Sequence, residues 1–177
     1  MSYTLRAARM GDEPELQRLI ARSIRSLGAL DYSPAQIEGA LRGAFGVDTN
    51  LIRDGTYLAA LGEGGAIVAC GGWSRRRTLF GSDARAERDE GWLDPRTDAA
   101  KIRAFFVDPA HARRGIGRLI LESSEAQARA AGFTRFELMA TLPGERLYRR
   151  FGYVAQAPID YPLAAGLSIR FVPMSKP

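Results

Sequence analysis

Apolar and polar residues recur along this chain in two periods, and the alternation between them predicts the secondary structure. Short apolar runs rich in β-branched and aromatic residues predict strands at seven places. These runs are residues 3–7, 57–61, 66–73, 100–107, 135–139, 153–155 and 167–174. Residues 62–65, Gly-Glu-Gly-Gly, join the second and third runs, and this composition is typical of a β-hairpin loop.

Between these runs, apolar residues recur with helical spacing and predict helices. The first helix has Asp12 as a candidate N-cap and Glu15 three residues later, and the second begins with Ser33, Pro34 and Gln36 as a capping box. A third helix ends at residues 131–132, Ala-Gly, and a short fourth one occupies residues 143–151. The predicted order is β-αα-βββ-α-β-α-ββ.

The joint between the fourth strand and the third helix carries the first functional signal. A turn at residues 108–109, Asp-Pro, is followed by Arg-Arg-Gly-Ile-Gly-Arg at 113–118, where the helix starts. Glycines there let the backbone approach a ligand, and the first helical amides and the helix dipole favour a phosphate. A plain strand–turn–helix connection with surface arginines remains the alternative.

Other phosphate motifs do not match this joint. A dinucleotide fingerprint requires a third glycine where Ile120 stands, and the Lys-Ser/Thr pair of a P-loop is absent. The joint instead resembles the coenzyme A pyrophosphate loop of the GNAT acyltransferase superfamily, Gln/Arg-x-x-Gly-x-Gly/Ala. Ala112 departs from the first position of that pattern.

A second motif supports the same resemblance. Leu147-Tyr148 followed by Phe-Gly-Tyr at 151–153 is similar to the GNAT ending, in which a helix with Asn, Ala and Leu-Tyr precedes a Gly-aromatic strand. Thr141 replaces the asparagine and Gly144 the alanine. The resemblance spans essentially all 177 residues and implies one GNAT domain, 1–177. The implied fold class is α/β (α+β), with a mixed, mostly antiparallel sheet of six to seven strands, about four flanking helices, and a splay between strands 4 and 5.

The resemblance also implies the reaction and its residues. The activity is N-acetyl transfer from acetyl-CoA, a cosubstrate, to an amine of a small molecule or peptide, with no metal. Backbone groups of Phe105, Phe106 and Val107 bind the pantetheine arm and stabilise the oxyanion, and Tyr148 is the general acid. The remaining coenzyme contacts are assigned to Arg113, Arg114, Gly115, Ile116, Gly117, Arg118 and Thr141.

No single residue is identified as the general base. Glu137 and Asp98 are candidates, directly or through water, whereas His111, the only histidine, is interpreted as a loop contact. Cys70, the only cysteine, is interpreted as a small buried hydrophobe and not a nucleophile.

The net charge and the composition limit the kinds of partner that we expect. The net charge of +5 suits an anionic ligand, but no nucleic-acid recognition motif accompanies it. There is no run of 18 apolar residues and no signal-peptide pattern, so we expect a cytoplasmic protein without membrane attachment. A homodimer is left open as an assembly state.

One segment, residues 81–98, lacks periodicity and carries six acidic residues against three arginines. Its acidic surplus predicts either a surface for a cationic acceptor or a mobile solubilising loop. Two alternatives to the enzyme remain: a coenzyme A-binding module without turnover, suggested by the departures at Ala112, Thr141 and Gly144, and a nucleic-acid-binding protein.

Overall fold

The computed structural model describes residues 2–177 and contains one eight-stranded sheet. The strands are β1 (Thr4–Ala7), β2 (Tyr57–Leu61), β3 (Ile67–Ser74), β4 (Ala100–Val107), β5 (Phe136–Thr141), β6 (Val154–Ala155), β7 (Ile159–Pro162) and β8 (Ser168–Lys176). The helices are α1 (Glu13–Leu27), α2 (Pro34–Ala40), α3 (Thr49–Arg53), α4 (Ile116–Ala130) and α5 (Glu145–Arg150). Short 3-10 turns lie at Met10–Asp12, Pro109–His111 and Ala164–Gly166.

The sheet is mixed and mostly antiparallel, as predicted. Its order is β1-β2-β3-β4-β5-β8-β6, with β7 also paired to β8, and β4–β5 is the one parallel pair among the described residues. The predicted class is therefore confirmed, although the described chain has eight strands and five helices where six to seven strands and about four helices were expected.

Two elements were missed for different reasons. Strand β7 lies in the proline-rich stretch that was predicted to be a connection, and it ends in Pro162. It pairs only with β8, so it is an edge strand, where a missing amide is tolerated. Helix α3 has five residues, too few to show a period, and is capped by Asp48, whose Oδ1 accepts a hydrogen bond from the Asn50 amide at 3.0 Å.

The two predicted caps had opposite outcomes. Ser33 caps α2 as expected: its Oγ accepts from the Gln36 amide at 3.2 Å, and Gln36 Oε1 accepts from the Ser33 amide at 2.8 Å. Asp12 makes no side-chain cap, so that prediction was wrong. Its carboxylate instead binds Arg6 and the Arg9 amide, because a 3-10 turn at 10–12 precedes α1.

The helices cover both faces of the sheet. Tyr57 and Cys70 pack with α1 and α2 on one face, whereas Leu58 on β2 packs with Ile116 and Ile120 of α4 on the other. Alternate residues of a strand point to opposite faces, so α1 and α4 lie on opposite sides. Cys70 is fully buried, and burial raises the pKa of its thiol to about 12, which agrees with a core residue.

Candidate active site

Strands β4 and β5 diverge soon after they begin. They pair only through Ala100 with Phe136 and Lys101 with Glu137. Beyond these residues the facing parts of the two strands, 102–107 and 138–141, form an open region that we call the seam. The splay expected between strands 4 and 5 is therefore present. The predicted pantetheine strand, residues 105–107, lies along the seam.

A β-bulge turns the backbone of β4 at the seam. Arg103 is opposite Gly72 and Phe106 is opposite Cys70, so two residues of β4 lie against the single residue Gly71. Ala104, the first of those two, has a left-handed φ of 57°. Bulges of this kind re-aim side chains and are frequent beside active sites.

Two contacts hold the bulge. The Tyr57 hydroxyl donates to the Ala104 carbonyl at 3.0 Å. On the other face, a Cβ at Gly71 would lie 2.7 Å from Cδ2 of Phe105, so only glycine leaves room for that ring. Neither Tyr57 nor Gly71 was identified from the sequence, because their partner is more than 30 residues away along the chain.

The backbone of Val107 is partly engaged. Its amide donates to Ser23 Oγ on α1 at 3.3 Å, a long hydrogen bond that a ligand could replace. Phe105, Phe106 and Val107 are all half-buried, and none pairs with β5. The contact of these three residues with pantetheine remains a prediction.

The loop after β4 presents free backbone donors. Arg113 and Gly115 have left-handed φ angles of 61° and 82°, and α4 begins at Ile116. The amides of Gly115, Ile116 and Gly117 donate to no acceptor within residues 2–177. Three adjacent amides at a helix N-terminus form a cradle for an anion, so these residues fit a diphosphate.

The charged side chains of this loop differ in their exposure and in their ion pairing. Arg113 and Arg114 are exposed, whereas Arg118 Nε is ion-paired with Glu122 at 2.8 Å. His111 lies at the loop entrance, with Nδ1 at 3.1 Å from the Tyr3 hydroxyl, which agrees with a loop contact. Arg118 therefore reaches a ligand only if it leaves its carboxylate.

Glycine at 117 brings the two sequence motifs together. A Cβ at this position would lie 3.1 Å from Leu147 Cδ2 on α5, which is a tight contact. The start of α4 can therefore pack directly against α5, the helix that carries Tyr148. The pyrophosphate-loop motif and the Leu-Tyr motif thus lie next to each other in the fold.

Tyr148 is buried and its hydroxyl has no partner among the described residues. Its ring meets Phe105 edge-on at 6.1 Å between centroids and Tyr153 at 5.8 Å. By contrast, the Tyr153 hydroxyl donates to Glu125 Oε1 at 2.8 Å. Burial raises the pKa of Tyr148 above its ordinary value, so the hydroxyl keeps its proton at neutral pH and remains free to donate it.

Thr141 has a local role at the end of β5. Its Oγ1 and its carbonyl oxygen both accept from the Gly144 amide, at 3.2 and 3.1 Å, and they shape the turn into α5. The predicted contact of Thr141 with the coenzyme remains a prediction.

The candidate bases lie in one polar groove of about 320 Å³, which Glu137 and Asp98 line together with Lys101 and Arg135. Glu137 is ion-paired with Lys101, and Asp98 Oδ2 accepts from the Asp94 amide at 2.8 Å. Both carboxylates are thus engaged by their own chain, and neither is singled out as a base.

The acidic segment is bound to the rest of the chain by its charges. Asp83 accepts from the Thr49 amide at 3.0 Å and Glu90 from Asn50 Nδ2 at 2.8 Å, while Asp94 pairs with Arg96. Arg88 is 2.9 Å from the buried Asp48. These contacts favour a structural use of the acidic residues over attraction of a cationic acceptor.

Arg103 anchors the same segment from β4 and was not identified from the sequence. Its guanidinium is 2% exposed, lies 3.0 Å from Asp48 Oδ2, and donates to the carbonyls of Thr78 and Gly81 at 3.2 and 2.8 Å. Burial lowers the pKa of Arg103, and the Asp48 carboxylate opposes that change.

Within residues 2–177, no cluster of three or more His, Cys, Asp or Glu side chains is arranged to hold a metal ion. None of the helices described for this chain is long and apolar enough to cross a membrane.

Comparisons with known proteins agree with this geometry. The sequence profile of the acetyltransferase (GNAT) family matches residues 29–153. No curated protein sequence matches the chain.

Solved structures with the same fold are numerous. A GCN5-related N-acetyltransferase from Rhodopseudomonas palustris has a TM-score of 0.72 at 20% identity, covering 99% of this chain and 96% of that one. The PaiA N-acetyltransferase from Thermoplasma acidophilum, in complex with coenzyme A, has a TM-score of 0.66 at 14% identity, covering 99% of each. A GNAT acetyltransferase from Staphylococcus aureus has a TM-score of 0.62 at 12% identity, covering 99% and 98%.

Proposed function

The chain belongs to the GNAT acetyltransferase family, whose reaction is acetyl transfer from acetyl-CoA, and on that premise we propose that its acceptor is the primary amine of a small molecule or peptide. The observation that carries the proposal is the convergence of three free amides at the start of α4 with the unpartnered hydroxyl of Tyr148. Acetyl transfer from a thioester that carries a diphosphate requires both a binding site for the anion and a proton donor near the sulfur.

Binding of acetyl-CoA is assigned to the backbone. The amides of Gly115, Ile116 and Gly117 hold the diphosphate, and the exposed Arg113 and Arg114 add positive charge beside it. Residues 105–107 hold the pantetheine arm through backbone groups that lack a partner on β5. A bound thioester supplies the activated acyl carbon, and the seam holds it in a fixed orientation.

The acyl step needs two donors from this chain. As the amine nitrogen bonds to the carbonyl carbon, an amide of β4 stabilises the charge that develops on the carbonyl oxygen. As the carbon–sulfur bond breaks, Tyr148 donates its hydroxyl proton or a hydrogen bond to the departing sulfur.

The acceptor amine must lose one proton before or during attack. Glu137 and Asp98 are two of the three carboxylates that line the polar groove, the third being Asp89, and we assign this proton transfer, through water, to either of the first two. The proposal therefore rests on no single base.

A mass-spectrometric screen tests the function. The purified protein is incubated with acetyl-CoA and a panel of amines, amino acids and peptides, and products are searched for the mass increase of one acetyl group. At least one amine should be acetylated with release of coenzyme A. Coenzyme A binding without any product across a broad panel would instead identify a binding module without turnover.

Replacing Gly115 with aspartate should weaken coenzyme A binding more than tenfold, or by more than about 1.4 kcal/mol. A Cβ at Gly115 meets nothing within 4 Å, so the substitution causes no steric clash, but it places a carboxylate beside the expected diphosphate. Titration calorimetry with coenzyme A measures the effect.

Gly55→Asp is the matched control for this change. Gly55 also has a positive φ, 73°, and open space around its Cβ position, so the strain and the added charge are similar. It precedes β2, at the opposite end of that strand from the 62–65 hairpin loop. Equal coenzyme A affinities for a folded Gly115→Asp variant and for the wild type would remove this loop from the site.

A further inference from the structure

An aromatic surface lies over the seam on the α1 side of the sheet. Phe80 contacts Tyr161 and Phe171 edge-on, at 5.1 and 5.6 Å between centroids, and Tyr161 stacks on Phe171 at 6.1 Å. We call these three residues the aromatic wall. Phe80 and Tyr161 are half-buried, so part of each ring is accessible.

The wall is connected to both strands that border the seam. Phe171 lies on β8 opposite Thr141, the last residue of β5. The Phe80 loop is tied to β4 through Arg103, which donates to the Gly81 carbonyl at 2.8 Å. Phe45 contacts both Phe106 of β4 and Phe171, at 6.0 and 5.8 Å. The wall therefore borders the seam on the face opposite α4.

Arg85 lies on this wall, and no carboxylate of residues 2–177 pairs with it. Its guanidinium is 4.0 Å from the Phe80 centroid and 5.5 Å from that of Tyr161, and Nη1 donates to the Phe80 carbonyl at 2.7 Å. Nε is buried without a hydrogen bond, and Nη2 donates to no acceptor within residues 2–177. Nη2 is therefore the nitrogen through which Arg85 can bind an external anion.

The neighbouring arginines differ from Arg85 in being ion-paired, although Arg88 Nη1, like Arg85 Nε, is buried without a hydrogen bond. Arg76 pairs with Asp54, Arg88 with Asp48 and Arg103 with Asp48, all within 3.0 Å. A cation that is stacked on aromatic rings and lacks a counter-ion remains available to form an ion pair with a carboxylate. Among these four arginines, Arg85 is the one placed on the wall.

We propose that Arg85 binds a carboxylate of the acceptor, and that the acceptor is an amino acid with an apolar or aromatic side chain. This inference rests on the proposed function, and it specifies the acceptor of that same site. The carboxylate pairs with Arg85, the apolar part packs on Phe80 and Tyr161, and the amine is directed into the seam. The acidic segment then contributes a cation to acceptor binding, and its carboxylates hold the loop.

Calorimetry on the protein saturated with coenzyme A tests this without requiring turnover. The probes are L-phenylalanine, L-phenylalaninamide, which lacks the carboxylate, and L-serine, which lacks the apolar side chain. Wild-type protein should bind phenylalanine about tenfold more tightly than either of the others. In Arg85→Gln the preference for phenylalanine over its amide should disappear.

The controls separate this inference from folding and from the function itself. Arg96→Gln removes an equal charge from the same segment, at an exposed side chain paired with Asp94, and should keep the preference. Because the preference is a ratio within each variant, partial unfolding of Arg85→Gln does not imitate its loss. Equal wild-type binding of phenylalanine and its amide, or no binding of either, overturns the assignment. Failure of the acetylation screen with the preference intact would overturn only the proposed reaction.

Discussion

Replacing Tyr148 with phenylalanine should lower kcat by at least about a hundredfold, within the range of roughly 10² to 10⁴ that loss of a general acid or base typically costs. The hydroxyl acts only as charge develops on the departing sulfur, so its loss should appear in kcat and not in ground-state binding. Coenzyme A affinity should change by less than about threefold, because the ring and its contacts with Phe105 and Tyr153 are kept. Steady-state kinetics and calorimetry measure the two quantities.

Tyr153→Phe is the matched control, since it also removes one phenolic hydroxyl from the same cluster. The Tyr153 hydroxyl is bonded to Glu125, and Lys176 still pairs with that carboxylate at 2.8 Å after the change. We expect its kcat to stay within about threefold of the wild type, because the lost hydrogen bond is structural. Wild-type kcat in Tyr148→Phe would mean that water or another group protonates the sulfur.

Replacing Asp48 with asparagine should lower the free energy of unfolding by at least about 3 kcal/mol. The change leaves the guanidinium of Arg103 buried without its counter-ion, and a buried unpaired charge is strongly destabilising. Asp48 and Arg103 are both 2% exposed, so solvent cannot replace the lost carboxylate. Urea unfolding followed by circular dichroism measures the difference.

The exposed pair of Arg170 with Asp160 provides the comparison. Its side chains are 57% and 55% exposed, and the N–O distance is 2.9 Å, similar to that of the buried pair. Asp160→Asn should cost only a small fraction of the stability that Asp48→Asn costs, since water screens and replaces such a pair. A similarly small loss for Asp48→Asn would show that the Arg103 charge relaxes toward solvent.

The sequence was sufficient where the determining residues are close together in the chain. The Ser33 capping box, the 62–65 hairpin loop and the helix start at 113–118 each depend on fewer than ten consecutive residues. The family resemblance added the splay and the role of Tyr148, and the structure shows the splay. The sequence alone gives no reason why β4 and β5 should part.

The features that the sequence did not predict depend on pairs of residues that are distant along the chain. Arg103 and Asp48 are 55 residues apart, and both fall in segments with no polar periodicity. The bulge at Ala104 depends on Tyr57 and Gly71, which the sequence identifies only as strand residues. Asp12 was assigned as a cap because its spacing to Glu15 fits one, but Arg6 and a preceding 3-10 turn compete for the same carboxylate.

The aromatic wall could not be predicted from the sequence for a similar reason. Phe80, Tyr161 and Phe171 come from three separate segments, and no local pattern relates them. In the sequence Arg85 is only one of three arginines within an acidic stretch, and no role was assigned to it.

The two sides of the seam also differ in how freely their residues can be substituted. On one side, the residues assigned to the coenzyme lie mainly in one continuous stretch, 105–118, where backbone geometry leaves little freedom of substitution. On the other side, the wall is assembled from separate segments, and its side chains can be exchanged one at a time. The acceptor preference can therefore be altered by substitutions in the wall that leave the coenzyme stretch untouched.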